Sequence, residues 1–197
     1  MSVLCVPCPA APSDEQLLER HRAGDPAALE ELFRRYRLPA YRVAYRLLGH
    51  EADALDAVQE GFVKALTHLH SFEQRSSFKT WLLRVVSNAA LDMGRQRGRR
   101  TAVNLSAAEA NDGDALALLT AGDPGRRLER ADLRRQLNQA LATLSEAQRR
   151  TFVLHAEAGL SYREVAEVMG ISIGTVMSRL YYARQKLRAC LEQQALL

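Results

Sequence analysis

Residues 159–180 read GLSYREVAEVMGISIGTVMSRL. Ser161 to Glu164 matches the S/T-x-x-E capping box, so a helix starts at Ser161 rather than running through it. Val165, Ala166, Val168 and Met169 give that helix an apolar face. Gly170 suits its end, because glycine takes the left-handed conformation without steric cost. Ile171 anchors the corner, and Ser172 caps a second helix whose apolar positions are Val176, Leu180, Ala183 and Leu187. Small Ala166 falls where the two helices cross. The pattern predicts a helix-turn-helix. A hairpin that only packs is the alternative. Against it, the second helix turns Ser172, Thr175, Ser178, Arg179 and Tyr182 outward, with Arg184, Lys186 and Arg188 beyond. Short hydroxyls followed by cations suit a helix in a major groove with phosphates at its flanks.

A second capping box, Ser145 to Gln148, lies upstream, and helical periodicity runs from Leu128 to Leu144. Before it, residues 101–125 hold Glu109, Asp112, Asp114 and Asp123 but no Lys or Arg, with Gly/Asp clusters. That composition predicts a flexible acidic linker over 101–127. Toward the N-terminus, residues 1–12 read as a disordered leader. Ser13 caps a helix that ends near Gly24, and Asp25-Pro26 restarts one as N-cap and first helical residue. Pro39 implies a break or kink. A helix from about Asp53 to His68 carries an apolar stripe of Leu55, Val58, Phe62 and Leu66, with Asp53, Asp56 and Glu60 on a different common face. Residues 71–77 form a loop. Phe78 to Arg95 is helical and is closed by a segment holding Arg95, Arg97, Arg99 and Arg100.

The expected fold is therefore all-α: two small helical domains, 13–100 and 128–197, joined by the acidic linker. Composition agrees, with 47% hydrophobic residues, 25% charged and few aromatics among 197 residues, as in a globular helical protein. A net charge of only +4 with clustered Arg favours a local anionic partner. No apolar run approaches the roughly 18 residues of a membrane helix, and Met1 to Pro12 does not read as a signal peptide. A cytoplasmic protein with no membrane insertion is expected. Cys5 and Cys8 form a C-x-x-C that supplies two of the four ligands of a zinc site. It reads either as two free thiols in a tail or as a metal or redox pair. No phosphate loop, H-E-x-x-H or nucleophile elbow is present, and the five histidines are scattered. An enzyme is not expected, and no cofactor is expected.

Several blocks together resemble bacterial sigma factors of the sigma-70 family, extracytoplasmic-function group. Leu160 to Ala166, Gly170 to Val176, Ser178-Arg179-Leu180 and Ala183-Arg184 resemble their domain 4. Tyr45 to Gly49, Asp53 to Glu60, Ser76 to Leu82 and Asn88 to Asp92 resemble their domain 2. The resemblance implies a non-enzymatic subunit that binds core RNA polymerase and directs initiation at promoter DNA. It implies that Asp53, Asp56, Gln59 and Glu60 face the polymerase clamp, whereas their residue types alone read first as an ordinary solvated acidic face. For the −10 element it points to Arg75, Ser76, Ser77, Lys79, Thr80, Trp81, Arg84, Asn88, Asp92, Arg95, Arg97, Arg99 and Arg100. These supply the cations, amide and hydroxyl groups and stacking surface that an unstacked strand needs, though Phe78 and Trp81 fit a core as well. For the −35 element it points to Arg163, Ser172, Thr175, Met177, Ser178, Arg179, Tyr181, Tyr182 and Arg184. Met177 departs from the cation common at that position, so an altered −35 preference or a weaker −35 grip is expected. The linker reads either as a strand mimic in the polymerase channel or as a hydrated tether. Family members are often held by an anti-sigma protein, and nothing in the sequence identifies one. A helix-turn-helix activator or repressor that is not a polymerase subunit is the competing reading. It lacks the upstream receiver or ligand-binding domain it would need.

Overall fold

The computed structural model describes residues 11–103, 133 and 135–195, and among these every regular element is helical. The leader with Cys5 and Cys8 and nearly all of the expected linker lie outside the described residues. Two compact units divide the chain, 1–37 and 38–197.

The first unit holds α1 (Asp14–Arg22) and the start of α2 (Pro26–Leu48). Ser13 and Gln16 cap α1 reciprocally, with Asp14 and Glu15 in the first turn where they complement the helix dipole. Asp25 accepts the Ala27 N–H at 3.0 Å and opens α2. Within this unit Asp14 accepts from the Arg35 guanidinium at 2.6 Å and from the Tyr36 hydroxyl. Burial and that carboxylate push the Tyr36 phenol above its ordinary range.

The second unit takes the rest of α2, then α3 (Glu51–His68), a 3-10 turn (Leu69–Ser71) and α4 (Phe78–Val103). It continues with helical residues 135–142, α5 (Glu146–Ala156), α6 (Tyr162–Met169) and α7 (Ile173–Ala195). Pro39 lies inside α2 without ending it, so of the expected break or kink the break does not occur. A proline removes one hydrogen bond of the ladder. Beyond it Ala40, Val43, Ala44 and Leu47 are buried along one face, and that burial holds the helix together. Helix α4 also outruns expectation: Arg95, Arg97, Arg99 and Arg100 continue it rather than close it, in keeping with the good helix propensity of Arg and Gln. The first three residues assigned to the linker, Thr101 to Val103, belong to this helix.

Helices α3 and α4 pack through small residues. Ala54, Ala57, Gly61 and Ala65 form the buried face of α3. A Cβ on Gly61 would lie 2.8 Å from Val86 Cγ2 and 3.0 Å from Val86 Cα. The expected apolar stripe therefore splits. Val58 is buried, whereas Leu55 and Leu66 are 47% and 46% exposed, because close approach of the helices selects the small residues beside them. Gly61→Leu should cost about 1–3 kcal/mol of stability by overpacking, read as a lower thermal midpoint. An unchanged midpoint would contradict this packing.

Candidate nucleic-acid interface

The helix-turn-helix forms as its capping residues dictate. Ser161 and Glu164 cap α6 reciprocally. Gly170 ends it at φ +63°, with the Ile171 N–H bonded to Ala166 O at 3.0 Å and the Gly170 N–H to Glu167 O at 3.3 Å. That is a complete Schellman motif. Ser172 Oγ then accepts the Thr175 N–H at 3.1 Å to start α7. Val165, Ala166, Val168, Val176, Leu180 and Ala183 are buried, so the two helices share one core. On the outer side Ser172, Met177, Ser178, Tyr181, Tyr182 and Arg184 are exposed, while Thr175 and Arg179 are half-buried. The hydroxyls are already engaged: Ser172 caps, and Ser178 donates to Thr175 O at 3.0 Å. The cations are not. Arg163, Arg179, Arg184, Lys186 and Arg188 form no ion pair among the described residues. Such a surface favours an anion.

Sequence reasoning missed Ile173. With Met177 and Tyr181 it makes an exposed apolar row at four-residue spacing along α7. Tyr181 meets Tyr182 edge-on at 5.4 Å and accepts from Gln185 Nε2 at 2.7 Å, which fixes the outer ring.

On α3, Asp56, Gln59 and Glu60 are exposed and share a face with Leu55, Val63 and Leu66, three apolar residues open to solvent. Asp53 departs from that group. It is half-buried, and its carboxylate accepts from Arg97. Glu60 pairs with Lys64 at 2.6 Å. The alternation of small and large residues on α3 was the available sign that the large ones would be left outside.

The proposed −10 residues fall into three groups. Ser77 caps α4 by accepting the Thr80 N–H at 3.1 Å. Phe72 and Phe78 are buried, and Trp81 lies half-exposed against them at centroid distances of 5.0 and 5.7 Å. Trp81 thus belongs to an aromatic cluster with one side open. Arg75, Arg84, Asn88, Asp92, Arg95 and Arg99 are exposed, Ser76, Lys79 and Arg97 are half-buried, and Arg100 lies in α4. Thr80 is 1% exposed.

What covers Thr80 is the C-terminal segment. Thr80 Oγ1 donates to Glu164 at 2.8 Å. Arg150 donates to Ser87 Oγ at 3.0 Å and to Asn88 Oδ1 at 2.5 Å. Arg95 pairs with Glu146 at 2.6 Å. Arg46 donates to Glu157 at 2.9 Å and to Asn138 at 2.7 Å. The Arg149 guanidinium reaches Leu47 O at 3.1 Å. Sequence reasoning gave Glu164 only its capping role and assigned none of Arg46, Glu146, Arg149, Arg150 or Glu157 a partner, since these partners lie 62 to 111 residues away, or 51 for Arg95–Glu146.

Burial raises the Glu164 carboxyl, but hydrogen bonds from the Ser161 N–H and hydroxyl and from Thr80, with the nearby Lys79 charge, outweigh it and hold the group below the usual range. A depressed pKa stabilises the fold above the unfolded value and loses that contribution as pH falls through the folded one. The stability advantage of wild type over Glu164→Gln should therefore shrink as pH falls below 4.5. Thermal melts at two pH values test this, and a constant advantage would contradict it.

Family models match the chain in two places: Sigma-70 region 2 over residues 32–100 and Sigma-70 region 4 over residues 134–187. The RNA polymerase sigma-H factor of Pseudomonas aeruginosa is 34% identical across 91% of this chain and 94% of its own. The ECF RNA polymerase sigma-E factor of Escherichia coli is 34% identical across 88% and 91%. Among solved structures, CnrH in complex with the cytosolic domain of CnrY matches with a TM-score of 0.69 at 27% identity, covering 91% of this chain and 97% of that one. The sigma factor RpoE in complex with the anti-sigma factor NepR from Bartonella quintana matches with a TM-score of 0.64 at 26% identity, covering 83% and 98%.

Proposed function

The chain belongs to the extracytoplasmic-function group of the sigma-70 factors, and on that premise we propose how its surfaces divide the work. It binds core RNA polymerase and directs promoter-specific initiation through the −10 and −35 elements. The sigma family is not an enzyme class, and we read this chain as a non-catalytic subunit acting in the cytoplasm. No helix among the described residues is long and apolar enough to cross a membrane.

The segment 13–100 takes the polymerase clamp and the −10 element, and 128–197 takes the −35 element. The single observation that carries the −35 assignment is the α7 surface: four cations, Arg179, Arg184, Lys186 and Arg188, without ion pairs among the described residues, beside an exposed row of Ile173, Met177 and Tyr181. Phosphates answer the cations and give affinity, and thymine methyl groups answer the apolar row and give sequence choice. For the polymerase, the supporting observation is the α3 face, where an open apolar patch lies beside Asp56, Gln59 and Glu60. Aliphatic anchors with a polar rim are the make-up of a protein interface. One structural relative was solved with the anti-sigma factor NepR, and an anti-sigma protein is a partner of this chain in the same reading. Likeness along nine-tenths of the chain, not only along the helix-turn-helix, weighs against a free-standing activator or repressor.

Gel filtration with purified core polymerase tests the assignment. Stoichiometric co-elution is expected, and separate elution at micromolar concentrations would overturn it.

A further inference from the structure

The corner between α2 and α3 faces the second half of α4 and the start of α5 across a cleft of about 770 Å³. That is within the roughly 300–1,000 Å³ of small-molecule sites. Its charged lining is basic in excess, with Arg95, Arg97 and Arg149 against Asp53 and Glu146. Both carboxylates are engaged, Asp53 by Arg97 and Glu146 by Arg95 at 2.6 Å. Arg149 is the cation left over. It forms no ion pair among the described residues, and its guanidinium donates to Leu47 O at 3.1 Å. Burial draws it below the usual arginine range, against the pull of the Glu146 charge. Its Nε is buried without a hydrogen-bond partner, and so is Nδ1 of His50 at the α2–α3 corner. A half-buried cation whose lost hydration is not fully replaced favours an added anion beside it.

The wall of the cleft is kept open by glycine. Gly94 and Gly98 lie one turn apart in α4, both on the lining. Glycine inside a helix costs stability relative to alanine. At Gly94 packing explains it, since a Cβ would lie 3.3 Å from Leu48 Cδ2. At Gly98 neither packing nor backbone does. A Cβ there meets nothing within 4 Å, and its φ is not left-handed. What Gly98 preserves is the space of the cleft.

We propose that this cleft binds a small organic phosphate of nucleotide size. Its phosphates lie beside Arg149, with exposed Arg95 and half-buried Arg97 at the rim. A guanidinium matches phosphate geometry and keeps its charge at every physiological pH. The ring of the ligand lies against the apolar part of the lining, Leu48 and Leu91. Inorganic phosphates answer the cations but not that wall, and an uncharged nucleoside answers the wall but not the cations.

Calorimetric titration of the full chain tests this with ATP, adenosine and pyrophosphate as probes. ATP should bind at one site, with adenosine and pyrophosphate each weaker by about tenfold or more. Gly98→Leu should abolish ATP binding by filling the cleft. Its thermal midpoint should be unchanged or higher, because leucine is the better helix former. Arg149→Gln should weaken ATP by about tenfold or more. Arg42→Gln, at an exposed position of α2 outside the lining, should leave it unchanged. No ATP binding at millimolar concentration overturns the proposal. So does an affinity that Gly98→Leu leaves intact, which marks general attraction to a basic chain. Unchanged ATP affinity in Arg149→Gln overturns the role of Arg149. A single-stranded oligonucleotide is the other source of phosphate. If its binding alone responds to Arg149→Gln, the cation serves DNA and the cleft proposal falls. Binding is read directly, so each of these failures leaves the polymerase assignment in place.

Discussion

Leu55→Glu combined with Leu66→Glu is expected to reduce affinity for core polymerase by about 30-fold or more while leaving the fold intact. Both side chains are close to half exposed, so charging them removes little from the core. On the proposed interface, though, they would be the apolar centre, and truncating or charging such an anchor costs about 2 kcal/mol or more. Asp56→Lys with Glu60→Lys should act differently. Rim charges mainly set the association rate and its salt dependence, so this pair should slow binding most at low salt. Fluorescence titration and stopped-flow association with core polymerase separate the two effects. Unchanged affinity in the doubly charged variant would take α3 out of the interface.

Arg179→Ala should cost about 1–3 kcal/mol in −35 recognition, roughly 5- to 150-fold, if its guanidinium pairs with a base edge. Arg179 forms no ion pair among the described residues, so its removal leaves no carboxylate behind. Met177→Arg should act in the opposite sense. It adds a cation beside the exposed apolar row and steepens the salt dependence of DNA binding by about one phosphate's worth, with an altered sequence preference. Footprinting or anisotropy on −35 duplexes across a salt series reads both. If neither variant moves affinity, slope or preference, α7 does not face the bases.

The C-terminal motif was legible in the sequence because its signals are local. Ser161, Glu164, Gly170 and Ser172 each act on backbone groups a few residues away, and all four do so in the structure. The helices around Ser13 and Ser145 were readable for the same reason. What was not legible depends on packing between distant segments. Helix periodicity finds an apolar stripe on α3 but cannot say that Val86 approaches Gly61, which decides that Val58 goes in and Leu55 stays out. Pro39 looked like a stop because its local cost is visible, while the burial on its far side is not. Asp53 and Arg97 were assigned to opposite partners, one to polymerase and one to DNA. They meet each other in the fold, 44 residues apart.

The account rests on promoter-directed initiation, and reconstituted run-off transcription tests it most directly. Core polymerase and this protein are combined on the DNA upstream of the protein's own gene. The account predicts a discrete transcript that requires the protein and is lost when either the −10 or the −35 element is replaced. No protein-dependent transcript from that or several other candidate promoters, together with no binding to core polymerase, would contradict it.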